Sequence, residues 1–349
     1  MNPLAQDLNH ILDHTRDLWE ELRGERIIIT GGTGFFGCWL LESFLWANER
    51  LDLKTSVVVL TRRPDAFRAK AAHLAQHPCV TLLAGDVRSF KFPPGTFSHV
   101  IHAATESSAK LNAENLLLML DTIVEGARHT LDFAIQCKAQ KFLLTSSGAV
   151  YGKQPAELTH IPEDYSGAPD PLDPRSAYGE GKRMAEHLCA LYARQSAIEM
   201  KIARGFAFIG PYLSLDIHYA IGNFIRDGLS GGPIVVQGDG TPRRSYLYAA
   251  DLAIWLWTIL FKGQSLHPYN VGSEQSLSIA EVARRVAEQF PPGMKVEIRG
   301  KPDPNRPMQR YVPSTARART ELELRALVNL PEAIRRTINY NKGRSGFAN

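Results

Sequence analysis

The sequence predicts an α/β fold: a doubly wound parallel sheet followed by a smaller mixed α/β lobe. Three observations carry that expectation. Short apolar runs alternate with helical stretches from residue 26 to residue 205, a glycine-rich turn joins the first run to the first helix, and the texture changes after residue 205. The runs are RIIIT (26–30), SVVVL (56–60), VTLLAG (80–85), HVIHA (99–103), KFLLTS (141–146) and EMKIARG (199–205). Most are apolar at successive positions, so the strands are buried on both faces and need helices above and below. Helical stretches lie between them, notably at 37–51, 115–137 and 177–197. Beyond residue 205, Gly and Pro become frequent, as in SGGPIVVQGDG and PPGMKVEIRGKPDPNRP, which marks shorter elements and more turns.

Three segments are therefore expected: an extension over 1–24, a main domain over 25–205, and a lobe built mainly from 206–349, parts of which can return to the main domain. The extension reads as one amphipathic helix over 3–23. Leu4, Leu8, Ile11, Leu12, Leu18 and Leu22 recur at helical spacing, Asn2 can cap it and Pro3 suits a first turn. Its expected role is packing against the main domain.

Composition limits the function classes. With 349 residues and 44% hydrophobic content the chain can bury a sizeable core, and a net charge of +4 is too small to argue for nucleic acid. Cys38, Cys79, Cys137 and Cys189 are far apart in sequence and form no CxxC pair, so reduced thiols in a cytoplasmic protein are expected. The start MNPLAQDLNH lacks the apolar region of a secretory signal. The longest apolar stretch, 252–261, is about half of the ~20 residues a membrane span needs. His10/His14 and His73/His77 have i,i+4 spacing without an evident third ligand, so no metal site is expected.

The turn after the first strand reads Gly31-Gly32-Thr33-Gly34-Phe35-Phe36-Gly37. Glycines at this spacing permit a tight turn, close approach of a pyrophosphate, and close helix–strand packing. The helix that follows offers N–H groups and a positive dipole end to phosphates. Between a β-run and a helix, this is the Rossmann dinucleotide fingerprint. The second strand ends in Thr61-Arg62-Arg63 rather than in the acid that accepts an NAD ribose. Two guanidiniums suit a 2′-phosphate, so NADP(H) is favoured over NAD(H), although Asp65 could still reach a ribose. Asp86 and Val87, after the third strand, are placed to flank the adenine.

Tyr178 and Lys182 are four residues apart in a helical stretch and so share a face. Asp173-Pro174 supplies a cap and a first-turn proline. A phenol must have its pKa lowered by about 3 units, or ~4 kcal/mol, to act as a base near neutrality, and a neighbouring ammonium can do this. Gly179 and Gly181 beside the pair each cost a helix about 1 kcal/mol relative to Ala, which suggests that something approaches the backbone closely. The fifth strand ends in Thr145-Ser146-Ser147-Gly148-Ala149-Val150-Tyr151-Gly152. That puts hydroxyls at the edge of the sheet where ligands bind in such folds. Ser147 is the candidate for orienting a reacting hydroxyl, with Thr145 and Ser146 structural or lining the nicotinamide pocket.

GGTGFFG, HAAT (102–105), TSSGAVYG, YGEGK, GDGTPRRSYLYAADLA and YNVGS, in this order, resemble the extended short-chain dehydrogenases/reductases of the nucleotide-sugar epimerase/dehydratase branch. The resemblance covers roughly residues 25–345. It implies catalysis by Ser147, Tyr178 and Lys182, with Lys182 also holding the nicotinamide ribose. It implies a cofactor site made by Gly31, Thr33, Gly34, Phe35, Phe36, Gly37, Thr61, Arg62, Arg63, Asp86, Val87, Ala103, Ala104, Thr105 and Thr145 together with Tyr178 and Lys182. Glu106, Ser147, Asn223 and Arg244 fall on the substrate side, Arg244 facing a nucleotide diphosphate. A homodimer through the helices near 115–137 and 177–197 would be typical.

Two departures bear on the reaction. Dehydratases carry an Asp-Glu pair, and UDP-glucuronate decarboxylases a Glu, just after the catalytic Ser/Thr, where this chain has Gly148 and Ala149. Neither can move a proton, so elimination is disfavoured unless Glu106 or another group substitutes. The family's RxxN reads Arg204-Gly205-Phe206-Ala207, without the amide. The expected activity is NAD(P)-dependent epimerisation or ketoreduction of a nucleotide sugar, with C4 the expected carbon. Dehydration, decarboxylation, reduction of a non-sugar ketone and non-catalytic dinucleotide sensing remain as alternatives. A sensor should tolerate loss of the Tyr–Lys pair, which here is intact.

Overall fold

A computed structural model of the chain describes residues 2–105, 115–216, 220–303 and 307–342. The chain divides into two compact units. The first comprises Met1–Gly152, Gly167–Gly205 and Ala253–Tyr269, and the second Lys153–Ser166, Phe206–Leu252 and Asn270–Asn349.

The first unit contains α1 (Ala5–Thr15), β1 (Arg26–Thr30), α2 (Phe35–Arg50), β2 (Ser56–Thr61), α3 (Pro64–Lys70), α4 (Ala72–Ala75), β3 (Val80–Ala84), β4 (His99–His102), α5 (Leu116–Gln136), β5 (Lys141–Ser147), α6 (Ala177–Ala193) and β6 (Glu199–Gly205). The chain continues through β7 (Phe208–Ile209), α7 (Ala220–Leu229), β8 (Ile234–Val236), β9 (Arg243–Arg244), β10 (Leu247–Tyr248), α8 (Ala249–Lys262), β11 (Pro268–Val271), β12 (Leu277–Ser278), α9 (Ile279–Ala287), β13 (Val296–Ile298), β14 (Arg310–Tyr311), α10 (Ala316–Leu322) and α11 (Leu330–Lys342).

Seven strands form one sheet in the order β3-β2-β1-β4-β5-β6-β11. The pairs from β3 through β6 are all parallel. This is the doubly wound Rossmann arrangement, and strand order reverses between β1 and β4, where such sheets bind ligands. Registry puts Thr30 opposite His102, His102 opposite Leu144, and Ser147 opposite Gly205. The turns that follow β1, β4 and β5 therefore leave the same edge of the sheet.

The continuous apolar runs behave as expected. Ile27, Ile28, Ile29, Phe142, Leu143 and Leu144 are fully buried, each contributing about 1.5–3 kcal/mol through removal from water. Against Ile28, Val58, Val100 and Phe142, α5 and α6 lay down Ile123, Ala127, Phe133, Ala185 and Leu188.

The extension is not one helix. It is α1 followed by a 3₁₀ stretch, Arg16–Leu22. The break falls where the Thr15 hydroxyl bonds back to the Ile11 carbonyl at 2.7 Å and accepts from Trp19 Nε1 at 2.9 Å, a side-chain competition that bends helices. Tighter winding carries Trp19 into full burial against Trp257 and Phe261, ring centroids 4.6 and 5.9 Å away. Glu21 then reaches His99 Nε2 at 2.8 Å and Lys141 Nζ at 2.7 Å, at the starts of β4 and β5.

In the second unit, β8 pairs with β13, while β9 joins β12 and β14. The strands flanking Asp239-Gly240 thus do not pair with each other, and this Asp-Gly dipeptide does not close a hairpin. Asp239 instead accepts from the Thr241 N–H and hydroxyl, and Gly240, at φ +76°, lies against Ala280.

No disulfide joins the four cysteines. No helix among the described residues is long and apolar enough to cross a membrane. None of the described His, Cys, Asp and Glu residues gather in threes as a metal set would.

Candidate active site

At the end of β1 the chain turns at Gly31, whose φ is +72°. A side chain there would meet the Ala103 carbonyl oxygen at 2.4 Å, so the turn after β1 and the end of β4 touch through backbone alone. Gly37 is packed as closely, its Cβ direction ending 2.3 Å from Gly32 Cα. Gly34 differs: a Cβ there would find only the Gly31 oxygen, at 3.4 Å. Gly34 is also the N-cap of α2 and has no side chain to cap it. Room beside the backbone and an uncapped helix start are what a pyrophosphate requires. The residues present therefore fit a dinucleotide, and Thr33, Gly34, Phe35 and Phe36 would hold its phosphates.

Along the neighbouring strands, Arg62 and Arg63 are exposed and Thr61 is buried. The Thr61 hydroxyl accepts from the Arg63 N–H at 3.3 Å. Asp65 is engaged by Arg68 at 2.7 Å, which weakens it as a ribose acceptor. Asp86 is gripped by Arg88 through both carboxylate oxygens at 3.0 Å. Chiefly through that bond, with Arg62 adding to it, Asp86 is held below the usual carboxylate range. The Val87 side chain points into the core and packs on Gly126, so only its backbone remains to flank an adenine.

Two basic residues here escaped the sequence reading. Arg88 is the counter-ion of Asp86, and Lys70 Nζ donates to the Thr33 carbonyl at 2.9 Å. The Asp86–Arg88 spacing could have suggested the first. Nothing local points to Lys70, which lies 37 residues from Thr33.

The expected catalytic group comes from β5 and α6. The cap and proline at 173–174 shape a 3₁₀ turn, Pro174–Ser176, ahead of the helix, with Asp173 accepting from the Arg175 N–H. Tyr178 and Lys182 then share a face of α6, with Nζ 5.9 Å from the centre of the phenol ring. Lys182 is buried and donates to the Thr145 carbonyl at 2.9 Å. Burial pulls its ammonium down to about 8, opposed by the charge of Glu186. Ser147, two residues beyond Thr145, is buried, and its Oγ accepts from the Ala149 N–H at 3.2 Å.

His102, at the end of β4, bonds to the Thr30 hydroxyl at 3.0 Å. Burial, and next the Lys182 charge, push its ring down to about 3, so it stays neutral. Ala104 N–H donates to the Thr30 hydroxyl at 3.3 Å, and the buried Thr105 hydroxyl finds no hydrogen-bond partner among the described residues. Glu106 lies outside the described residues.

The glycines beside Tyr178 have a different explanation from the one expected. A Cβ at Gly179 would meet the Ala149 carbonyl oxygen and Pro169 Cγ, both at 2.8 Å, and one at Gly181 would meet Ile123 and Leu120 at 3.3 Å. What approaches the helix there is the protein's own chain.

Within the second unit, a cavity of about 560 Å³ is lined by Asn223, Phe224, Gln237, Asp239, Lys301 and Asp303, among others. Asn223 is thus one of the residues around open space in this unit. The Arg244 guanidinium donates to the Arg243 carbonyl at 2.8 Å, lies 5.8 Å from the Tyr311 ring, and is not among the residues lining this cavity.

Comparison with known proteins bears on the family and the fold. Residues 27–272 match the family described as NAD dependent epimerase/dehydratase. UDP-glucuronic acid decarboxylase 6 of Arabidopsis thaliana is 32% identical over 310 residues, covering 88% of this chain and 86% of that protein. Two solved structures share the fold at low identity. The dTDP-glucose 4,6-dehydratase DesIV of Streptomyces venezuelae, solved with NAD bound, has a TM-score of 0.78 at 21% identity over 92% of this chain and 98% of its own. UDP-glucuronic acid 4-epimerase of Bacillus cereus, in complex with UDP-glucuronic acid and NAD, has a TM-score of 0.76 at 21% identity over 91% and 99%. This chain is an enzyme of the NAD dependent epimerase/dehydratase family.

Proposed function

We propose that the enzyme moves hydride at C4 of a nucleotide-linked sugar, as a 4-epimerase or 4-ketoreductase, with NADP(H) favoured over NAD(H). The observation that carries this reading is the buried Lys182 behind Tyr178, with Ser147 at the neighbouring strand end and Gly148 and Ala149 beside it. Tyr178 accepts the proton of the sugar hydroxyl, Ser147 orients that oxygen, and Lys182 holds the phenolate by its charge. When bound, the nicotinamide supplies the acceptor and donor of hydride. In the reductive direction Tyr178 returns its proton to the carbonyl oxygen. Eliminating water would need a further acid and base next to Ser147, and Gly148 and Ala149 provide neither.

Thr33, Gly34, Phe35 and Phe36 at the start of α2 take the pyrophosphate. Arg62 and Arg63 take a 2′-phosphate, and Asn223 and Arg244 serve the nucleotide end of the substrate. Exposed Leu117, Met184 and Leu191 on α5 and α6 support a homodimer through these helices, and the lack of disulfides supports a cytoplasmic place.

A second reading has a specific observation in its favour, since the relatives at about 30% identity include several UDP-glucuronic acid decarboxylases. Oxidation at C4 of a uronic acid makes a β-keto acid, which loses carbon dioxide readily, so the same Tyr178 chemistry would serve.

The test is product analysis by NMR after incubation with UDP-glucose, UDP-glucuronate, dTDP-glucose and GDP-mannose, each with NAD(P). Epimerised or 4-reduced sugar is expected. Release of carbon dioxide from UDP-glucuronate would favour the second reading, and no turnover of any nucleotide sugar would overturn both. Tyr178→Phe should lower turnover by at least ~10³-fold, at the strong end of general-base effects, with cofactor affinity nearly unchanged. An active variant would defeat the mechanism.

A further inference from the structure

One carboxylate near Lys182 has no part in the scheme above. Four residues further along α6, Glu186 extends the face that carries Tyr178 and Lys182. Two side chains hold it in place through three hydrogen bonds. Ser146 Oγ donates to its Oε1 at 2.5 Å, Arg204 Nε to the same oxygen at 2.9 Å, and Arg204 Nη2 to Oε2 at 2.7 Å. Arg204 is fixed in turn by the Tyr151 hydroxyl, at 2.8 Å from Nη1, and by stacking on that ring. The pair is largely buried, with side-chain exposures of 14% and 13%.

We propose that Glu186 is a positioning residue for the reaction, its fixed carboxylate keeping the buried Lys182 side chain an ammonium beside Tyr178. The proposal rests on the Tyr178–Lys182 reading.

The surroundings of Lys182 leave the task to Glu186. From β4 comes His102, neutral, and from β5 the Thr145 carbonyl, while the Ser146 hydroxyl, the Arg204 cation and the Tyr151 hydroxyl gather around Glu186 instead. At Gly181 the side chains meeting α6 from α5 are Leu120 and Ile123, both apolar. On α6 itself, Cys189 is held as a neutral thiol by burial and then by the Glu186 charge. Among the described residues, Glu186 is the anion acting on Lys182, and it raises an ammonium that burial depresses. A phenolate is stabilised only by a charged lysine, so a neutral one would stall proton transfer. Ser146 sits between Thr145 and Ser147, which ties the carboxylate to the strand end that serves both Lys182 and the reacting oxygen.

A unit charge one helical turn away, about 6 Å, in a medium of effective dielectric about 20, shifts a titration by about 2 pH units at most. The experiment is an NMR pH titration of ε-¹³C-lysine-labelled protein, with the Lys182 resonance identified by its loss in Lys182→Met. Glu186→Gln keeps an oxygen to accept from Ser146 and Arg204 but removes the charge, and should lower the Lys182 midpoint by about 1–2 pH units. Arg204→Gln removes the opposing cation and should move it upward, which covers the case where Glu186→Gln does not fold. The alkaline limb of kcat/KM should follow the Lys182 midpoint in each variant, and Glu186→Asp should restore the profile. A Lys182 midpoint unmoved by these changes would overturn the proposal, leaving Glu186 and Arg204 as a purely structural pair. An active Tyr178→Phe would instead defeat the underlying mechanism, so the two failures are distinguishable.

Discussion

Separate alanine substitutions at Gly31 and Gly34 should part folding from cofactor binding. At Gly31, alanine must adopt φ near +72°, which costs about 1 kcal/mol for an L-residue. Its methyl would also lie 2.4–2.5 Å from Ala103 O, Ala103 C and Ala104 N, none of which is the end of a flexible side chain. Relieving that overlap means moving the end of β4 or the turn, at about 1–3 kcal/mol. Gly31→Ala should therefore lose about 3 kcal/mol, or ~6–12 °C of melting temperature for a unit of this size. Gly34 has φ −81° and ψ −173°, which any residue adopts, and an added methyl meets only one oxygen at an ordinary 3.4 Å. Gly34→Ala should stay within about 0.5 kcal/mol of the parent in stability. Its methyl occupies the space assigned to the pyrophosphate, so affinity for NAD(P) should fall about 10–100-fold, or ~1.4–2.8 kcal/mol. Urea unfolding of the apoprotein and calorimetric titration with NADH and NADPH give the two readouts. Parent-like cofactor affinity in Gly34→Ala would refute the assignment of this loop. Parent-like stability in Gly31→Ala would refute the steric argument.

Lys182→Met should abolish turnover yet stabilise the apoprotein by about 1–3 kcal/mol near neutrality, because the native ammonium is held at about 8 against an unfolded value near 10.5. In that window the unfolded chain binds the extra proton, so the parent gains stability as pH rises. The variant's advantage should be full below pH 8 and gone above about 10.5, and urea titrations across this range would expose a wrong sign. Replacing Arg62 and Arg63 together by Ala should weaken NADPH about 10–100-fold and NADH hardly at all, since each guanidinium–phosphate contact is worth about 1.5–3 kcal/mol before screening. Equal losses for both cofactors would defeat the 2′-phosphate assignment. Trp19→Ala removes a fully buried ring from Trp257 and Phe261 and should cost about 3–5 kcal/mol in denaturant unfolding. A loss below about 1 kcal/mol would show that the N-terminal segment contributes little to the first unit.

What could be read from the sequence alone was whatever is fixed over a few residues. Successive apolar positions at 27–29 and 142–144 demanded buried strands, the spacing of Gly31, Gly34 and Gly37 matched one backbone turn, and the four-residue step from Tyr178 to Lys182 guaranteed a common helix face. Glu186 was open to the same argument, being one turn further on. Its alliance with Ser146 and Arg204, 40 and 18 residues away, was not, because registry between β5, β6 and α6 decides it. The same holds for Lys70 reaching the Thr33 carbonyl, for Val87 turning into the core, and for the winding change that seats Trp19. Helix and turn geometry follow from local dihedral preferences and travel with the sequence. Which distant groups meet, and how deeply Lys182 is withdrawn from water, depend on the packing of whole elements, and only the folded chain decides them.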